Sequence, residues 1–157
     1  MIDTQHFSVR EFCKSSTAVR NNIVNVLPAE YVSAARDTLQ MLERIRELLC
    51  RQAGRDVPMT ITSGYRCLAL NRLLKSDDTS DHLVAAAADW EAPSFGSPTS
   101  ICELLAPLVG QLGIGQLINE YPDRDGWVHT STRVPAKAIN RVITITGHGT
   151  SVGILRV

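Results

Sequence analysis

The stretch Gln116-Leu117-Ile118-Asn119-Glu120-Tyr121-Pro122-Asp123-Arg124-Asp125-Gly126-Trp127-Val128-His129-Thr130-Ser131-Thr132 decides how this chain folds. Two runs with strand character flank Tyr-Pro-Asp-Arg-Asp-Gly, in which proline, aspartate and glycine each favour a reversal. The reading is a strand over 116–120, a turn, and a strand over 127–132, paired as an antiparallel hairpin. Residues directly opposite one another in such a pair share a face. A register near Glu120 opposite Trp127 or His129 puts Glu120 and His129 on one face, and a one-residue slip separates them.

Outward from this hairpin, helices come early and strands late. Downstream, Arg141 to Thr146 and Val152 to Val157 read as another hairpin around Gly147-His148-Gly149-Thr150. Upstream, Ser97-Pro98 opens a helix predicted to run to about Leu112, which Pro107 is expected to kink or end early. Val57 to Ser63 and Ala85 to Trp90 read as strands. Cys67 to Leu74 reads as a short helix after a Gly64-Tyr65 turn, and Lys75 to Asp81 as a polar loop. Between Pro28 and Ala53, Val32, Ala35, Leu39, Leu42, Ile45 and Leu49 recur at three- and four-residue steps. They form the apolar stripe of one long scaffold helix, stopped by Gly54. Ser8-Val9-Arg10-Glu11 has the form of a capping box, with Phe7 before it as a staple residue. The predicted fold is α+β, with N-terminal helices packed on a mainly antiparallel sheet, in one domain over residues 1–157.

Composition narrows the function classes. Net charge is zero, with 16 basic and 16 acidic residues, so no broad electrostatic grip on nucleic acid or on an anionic membrane is expected. No run approaches the ~20 apolar residues of a membrane span. The opening Met1-Ile2-Asp3-Thr4-Gln5-His6-Phe7 has neither a basic nor an apolar signal region, so no export signal is expected. Cys13, Cys50, Cys67 and Cys102 are widely spaced, which fits small hydrophobes in a reducing compartment better than a disulfide framework or a structural zinc site.

Ser80-Asp81-His82, Ala88-Asp89-Trp90 and Trp127-Val128-His129 are the segments that carry chemistry. Two histidines and an aspartate suffice as protein ligands for a catalytic zinc with an open fourth position. Asp89 follows an alanine-rich apolar run, where a carboxylate needs a metal or another cation to be buried. His82 and Asp89 are seven apart, so neither a straight strand nor a helix brings them together, and a loop at His82 folding back onto a strand would. Glu120 is then the spare carboxylate for general base work, and Arg66 a fixed positive charge for a substrate carboxylate or oxyanion. Ser80 is placed to hydrogen-bond the same substrate end. Plainer readings remain beside these: His129 as a hydrogen-bonded core histidine, Arg66 as a salt-bridge partner of Asp77 or Asp78, and His6 and His148 as surface residues.

The segments occur in a particular order: Ser63-Gly64-Tyr65-Arg66, Leu70-Asn71, Ser80-x-His82-x-x-Ala85-x-Ala87-x-Asp89, Glu120, and Trp127-Val128-His129. In this order the chain resembles the zinc D-Ala-D-Ala carboxypeptidase and L-alanyl-D-glutamate endopeptidase superfamily, whose fold is shared with the Hedgehog signalling domain. Phe7-Ser8-x-x-Glu11-Phe12 and Ser16-Thr17-Ala18 resemble its N-terminal region, so the likeness covers nearly the whole chain. The resemblance implies His82, Asp89 and His129 as ligands of one zinc ion, Glu120 as catalytic base, and Arg66 and Ser80 as substrate-holding residues. It implies the stem peptide of bacterial peptidoglycan as substrate. Two departures stand out: Ala85 replaces the usual glycine after the first histidine, and the charged Lys75–Thr79 loop replaces the usual Gly-Gly.

The expected activity is therefore metal-assisted hydrolysis of a stem-peptide bond by a monomer, as an endopeptidase or else as a D-Ala-D-Ala carboxypeptidase or dipeptidase. Many compact relatives without signals are phage lysins or phage-encoded wall hydrolases, so the resemblance implies action on the cell wall, with phage delivery as one route. A virion structural or wall-binding module that keeps the fold is the non-catalytic alternative, against which the intact Glu120 speaks.

Overall fold

The computed structural model describes residues 2–156. Among the described residues the α-helices are α1 (Val9–Phe12), α2 (Ser16–Arg20), α3 (Val32–Ala53), α4 (Leu68–Leu73), α5 (Pro98–Leu105) and α6 (Val109–Leu112). Six strands, β1 (Thr60–Ser63), β2 (Ala87–Glu91), β3 (Gln116–Glu120), β4 (Trp127–Ser131), β5 (Val142–Thr146) and β6 (Gly149–Val152), form one sheet in the order β1-β2-β4-β3-β5-β6. The fold is α+β with a mainly antiparallel sheet, as predicted. No helix among the described residues is long and apolar enough to cross a membrane, and all four cysteines are free.

Alternation along the strands gives the sheet two different faces. Ile61, Ala88, Trp90, Leu117 and Val128 point to one face and join a buried core with Leu39, Leu42, Ile45 and Leu49 of α3 and Ile101 and Leu105 of α5. Burying each of these large side chains contributes about 1.5–3 kcal/mol. Two polar side chains on this face find partners: Trp90 Nε1 donates to Thr130 Oγ1 at 3.0 Å, and Asn119 Nδ2 donates to Thr99 Oγ1 at 3.0 Å, while Asn119 Oδ1 is buried without a partner. The opposite face carries Asp89, His129, Trp127 and Glu120.

Several boundaries differ from the sequence reading for identifiable reasons. The long helix begins at Val32 after a 3-10 turn over Ala29–Tyr31, and it ends as expected at Gly54, whose φ is 63°. Its C-cap position demands the left-handed region, which glycine adopts without a steric penalty. Ser8 Oγ caps α1 by accepting from Glu11 N at 3.1 Å, but the Glu11 carboxylate does not reach back. It accepts instead from Ile61 N at 3.2 Å, tying α1 to β1. The first strand is shorter than predicted, starting at Thr60, two residues after Pro58, which has no N–H to contribute. Pro107 breaks the fifth helix into α5, a 3-10 turn over Ala106–Leu108, and α6.

The C-terminal hairpin needs two corrections. Its loop is only Gly147-His148, with Thr146 opposite Gly149, so its second strand is Gly149–Val152 rather than 152–157. Val157 lies outside the described residues. In addition, β5 pairs with β3 in parallel, Leu117 opposite Val142 and Glu120 opposite Ile145, which makes the sheet mixed at that seam.

Candidate metal centre

Asp89 lies opposite His129 on β4, and Glu120 lies opposite Trp127 across the β3–β4 hairpin. This register, within the range expected from the sequence, puts all four side chains on the face away from α3 and α5. His82 arrives by a separate route. Ser80 Oγ accepts from His82 N at 3.4 Å and caps a 3-10 turn over Asp81–Val84, which Ala85 ends with φ 57°. Ala86 N then bonds back to Asp81 O at 3.0 Å, and β2 starts at Ala87. This reversal is the folded-back loop that a seven-residue separation requires. It also explains why a glycine suits position 85: an alanine in the left-handed region costs about 1–2 kcal/mol. Asp81 fastens the turn to the end of β4, accepting from Ser131 Oγ at 2.6 Å and Arg133 Nη1 at 2.8 Å.

His82, Asp89 and His129 are all buried, and one ligand atom from each lies within 4.8 Å of the others. His82 Nδ1 stands 2.7 Å from the Gly64 carbonyl, an acceptor only, so Nδ1 carries the proton and Nε2 presents its lone pair. That lone pair faces Asp89 Oδ1 at 3.3 Å. Two acceptors in a buried site repel unless a cation stands between them, and burial pushes the His82 pKa down against its own protonation, outweighing the pull of Asp89. Ligand atoms held tetrahedrally about 2 Å from a zinc ion stand about 3.3 Å apart, so this pair fits a metal as it is. His129 Nδ1, at 2.7 Å from the same oxygen, needs to open by about 0.6 Å to reach that separation. The donor set and its geometry thus fit a divalent metal. Asp89 itself is buried at an energetic cost, but the hydrogen bond and charge of His129 help to hold its carboxyl well below the usual range.

The other Asp89 oxygen is held by Arg66. Nη2 donates to Oδ2 at 2.7 Å and Nε donates to Ser63 Oγ at 2.8 Å. Arg66 therefore does not pair with Asp77 or Asp78; Asp78 pairs with Arg72 at 2.6 Å, and Asp77 Oδ1 accepts from Thr79 N and Oγ1. Glu120 Oε2 accepts from Trp127 Nε1 at 2.9 Å. Burial and then the Asp89 charge raise the Glu120 pKa, which His129, the Trp127 hydrogen bond and Arg66 only partly counter. His129 is raised too: burial lowers it, but the Asp89 hydrogen bond and the charges of Asp89 and Glu120 outweigh that. His6 is exposed, as expected of a surface residue, and pairs with Glu43 at 2.7 Å.

These groups open onto a cleft of about 820 Å³. Lys14 and Ser15 line it on the side of the N-terminal helices, Lys75, Ser76 and Ser80 on the polar loop, and Tyr121 and Trp127 on the hairpin. Several supporting residues escaped the sequence reading. Asn25 Nδ2 donates to Cys13 O at 2.9 Å and to Tyr65 O at 2.8 Å, while its Oδ1 accepts from Cys67 N at 2.7 Å, so one amide brackets Arg66. Nothing local marks it, because its partners lie 12 to 42 residues away. Asn71, quoted in the motif without a role, donates to Asp77 O at 2.9 Å and holds the polar loop.

A protein-family model described as Peptidase M15 matches residues 5–131, which include His82, Asp89, Glu120 and His129. No curated protein matches the chain. The family match takes in most of the 157 residues and agrees with the resemblance read from the motifs and with the α+β fold. The chain belongs to the peptidase M15 family.

Proposed function

We propose that this chain is a zinc-dependent peptidase that hydrolyses a bond in the stem peptide of peptidoglycan, with Glu120 moving the proton. The observation that carries the reading is the buried convergence of His82, Asp89 and His129 within 4.8 Å beside a carboxylate of raised pKa. His82, Asp89 and His129 would hold one zinc ion, which when bound supplies Lewis acidity that acidifies a water and polarises a carbonyl.

The remaining work falls to the chain's own groups. Trp127 fixes Glu120 through Oε2, which leaves Oε1 without a partner among the described residues. Glu120 takes the proton of the attacking water and delivers it to the leaving amine as the C–N bond breaks, a role typically worth about 10²–10⁴ in rate. A carboxyl with a raised pKa suits both halves of that transfer. Arg66 orients Asp89 and, with Ser80, lines the cleft where substrate polar groups would bind. The lining extends to both sides of the metal ligands, and Arg66 already donates to Ser63 and Asp89 rather than closing a pocket for a terminal carboxylate. Both points support an endopeptidase over a carboxypeptidase.

Digestion of purified peptidoglycan with zinc and after chelation, followed by mass spectrometry, tests the reading. Chelator-sensitive products with new N-terminal D-Glu establish an L-Ala-D-Glu endopeptidase, and loss of terminal D-Ala alone establishes a carboxypeptidase. Glu120→Gln is expected to bind zinc and lose turnover. No products from zinc-loaded protein would leave the wall-binding role.

A further inference from the structure

Three lysines occur in the chain, at positions 14, 75 and 137, and two of them line the cleft. Lys14 follows α1, where its backbone N–H bonds to Glu11 O at 3.0 Å. Lys75 follows α4 and has φ 57°. That position after a helix end normally takes glycine, and a side chain there costs about 1 kcal/mol. Neither lysine forms an ion pair with a described residue.

The carboxylates nearest Lys75 in sequence are engaged elsewhere. Asp78 is held by Arg72, Asp77 by Thr79, and neither lines the cleft. The acidic pair therefore does not set the charge of the rim, contrary to what its place in the polar loop suggests. The acidic residues that do line the cleft are Asp89, paired with Arg66, and Glu120, bonded to Trp127. Ser15, Ser16 and Thr17 beside Lys14, and Ser76 beside Lys75, add hydroxyl donors to the lining. Two ammonium groups with hydroxyl neighbours and no ion pair to a described residue match an anionic group on the bound molecule.

We propose that Lys14 and Lys75 form an anion subsite in the cleft, and that the peptide cut there presents a free carboxylate to it. The inference rests on the peptidase reading above and adds the substrate class: an acidic peptide in preference to its amidated counterpart. Both lysines are exposed, so the contribution of each is modest and salt-sensitive.

The test uses zinc-loaded protein and synthetic stem peptides in which each free carboxylate is replaced, one at a time, by carboxamide. At one position the replacement is expected to lower kcat/KM by about tenfold at low salt, the scale of two partly screened charge contacts. In Lys14→Met/Lys75→Met that penalty should fall to less than twofold, while Lys137→Met keeps it. A penalty of the same size in the double variant, or none in the native protein, overturns the subsite. Calorimetric binding of the same peptides to zinc-loaded Glu120→Gln reads the preference without turnover. Acid-selective binding with no hydrolysis by the native protein would remove the peptidase reading and keep the subsite; hydrolysis without acid selectivity would do the reverse.

Discussion

Gly64→Ala isolates what holds the Arg66 segment in place. Gly64 has no left-handed backbone, so alanine is conformationally permitted there and only space decides the outcome. A Cβ would lie 2.2 Å from Phe12 O and 2.3 Å from Phe12 Cδ2, over 1 Å inside ordinary contact. Phe12 cannot retreat, because its side chain is 0% exposed in the core and its carbonyl accepts from Tyr65 N at 2.9 Å. The segments must part instead, which strains that bond and the two Asn25 bonds that span Cys13 and Tyr65. Three hydrogen bonds at about 1 kcal/mol each, with added repacking around the phenyl ring, give a loss of about 3–5 kcal/mol. At about 2–4 °C per kcal/mol for a chain of this size, the expected fall in Tm is about 6–20 °C. Gly110→Ala is the matched control: it sits exposed in α6 with nothing within 4 Å of a new Cβ. It should raise Tm slightly, since alanine is favoured over glycine in a helix by roughly 0.5–1 kcal/mol. Both are read by thermal unfolding at fixed zinc. A Gly64→Ala shift under about 2 °C would refute the steric argument and with it the account of how Arg66 is positioned.

Three further outcomes are expected. Free zinc at a hundred times its Kd should stabilise the fold by about 2.7 kcal/mol, a gain seen as a Tm drop on chelation that disappears in His82→Ala. In Trp127→Phe, which removes the N–H that lowers the Glu120 pKa, the acid limb of the kcat/KM profile should move to higher pH; an unmoved limb would show that the indole does not act on Glu120 as the proposed base. The Glu43 pKa is set by burial, which raises it, and by the His6 and Thr4 hydrogen bonds, which prevail and leave it below its ordinary 4.5. A lowered folded-state pKa means stability present above about 4.5 and lost as pH falls through the folded value. Glu43→Gln should flatten Tm against pH in that acid range, and equal acid slopes for the two proteins would sink the assignment.

The parts of this protein that a sequence reveals are those whose cause is local. The β3–β4 hairpin was readable because its strand residues and turn stand side by side, and with the register came the common face of Glu120 and His129. Gly54 and Pro107 likewise act on their own helices. The parallel seam between β3 and β5 had no such signal, since residues near 117–120 and 142–145 meet only through the tertiary fold. Asn25 and Lys14 were missed for the same reason. Of the two readings of Arg66, the plainer one looked to Asp77 or Asp78 nearby, and neither named Asp89, a buried carboxylate 23 residues away that competes better. A cation attracted to Asp89 was inferable from the apolar run around it; that Arg66 supplies one such charge was not.

Because β2 and β4 alternate Ala88, Trp90 and Val128 with Asp89 and His129, structural and chemical positions share the same backbone, residue by residue. Few substitutions along these strands can leave both untouched, and an insertion would exchange their roles outright. The freedom to vary falls to the rim, on the segment after α1 and the Lys75–Thr79 loop, neither of which supplies a ligand or a sheet bond. Such a division leaves the rim of the cleft open to change while His82, Asp89, His129 and Glu120 keep their places.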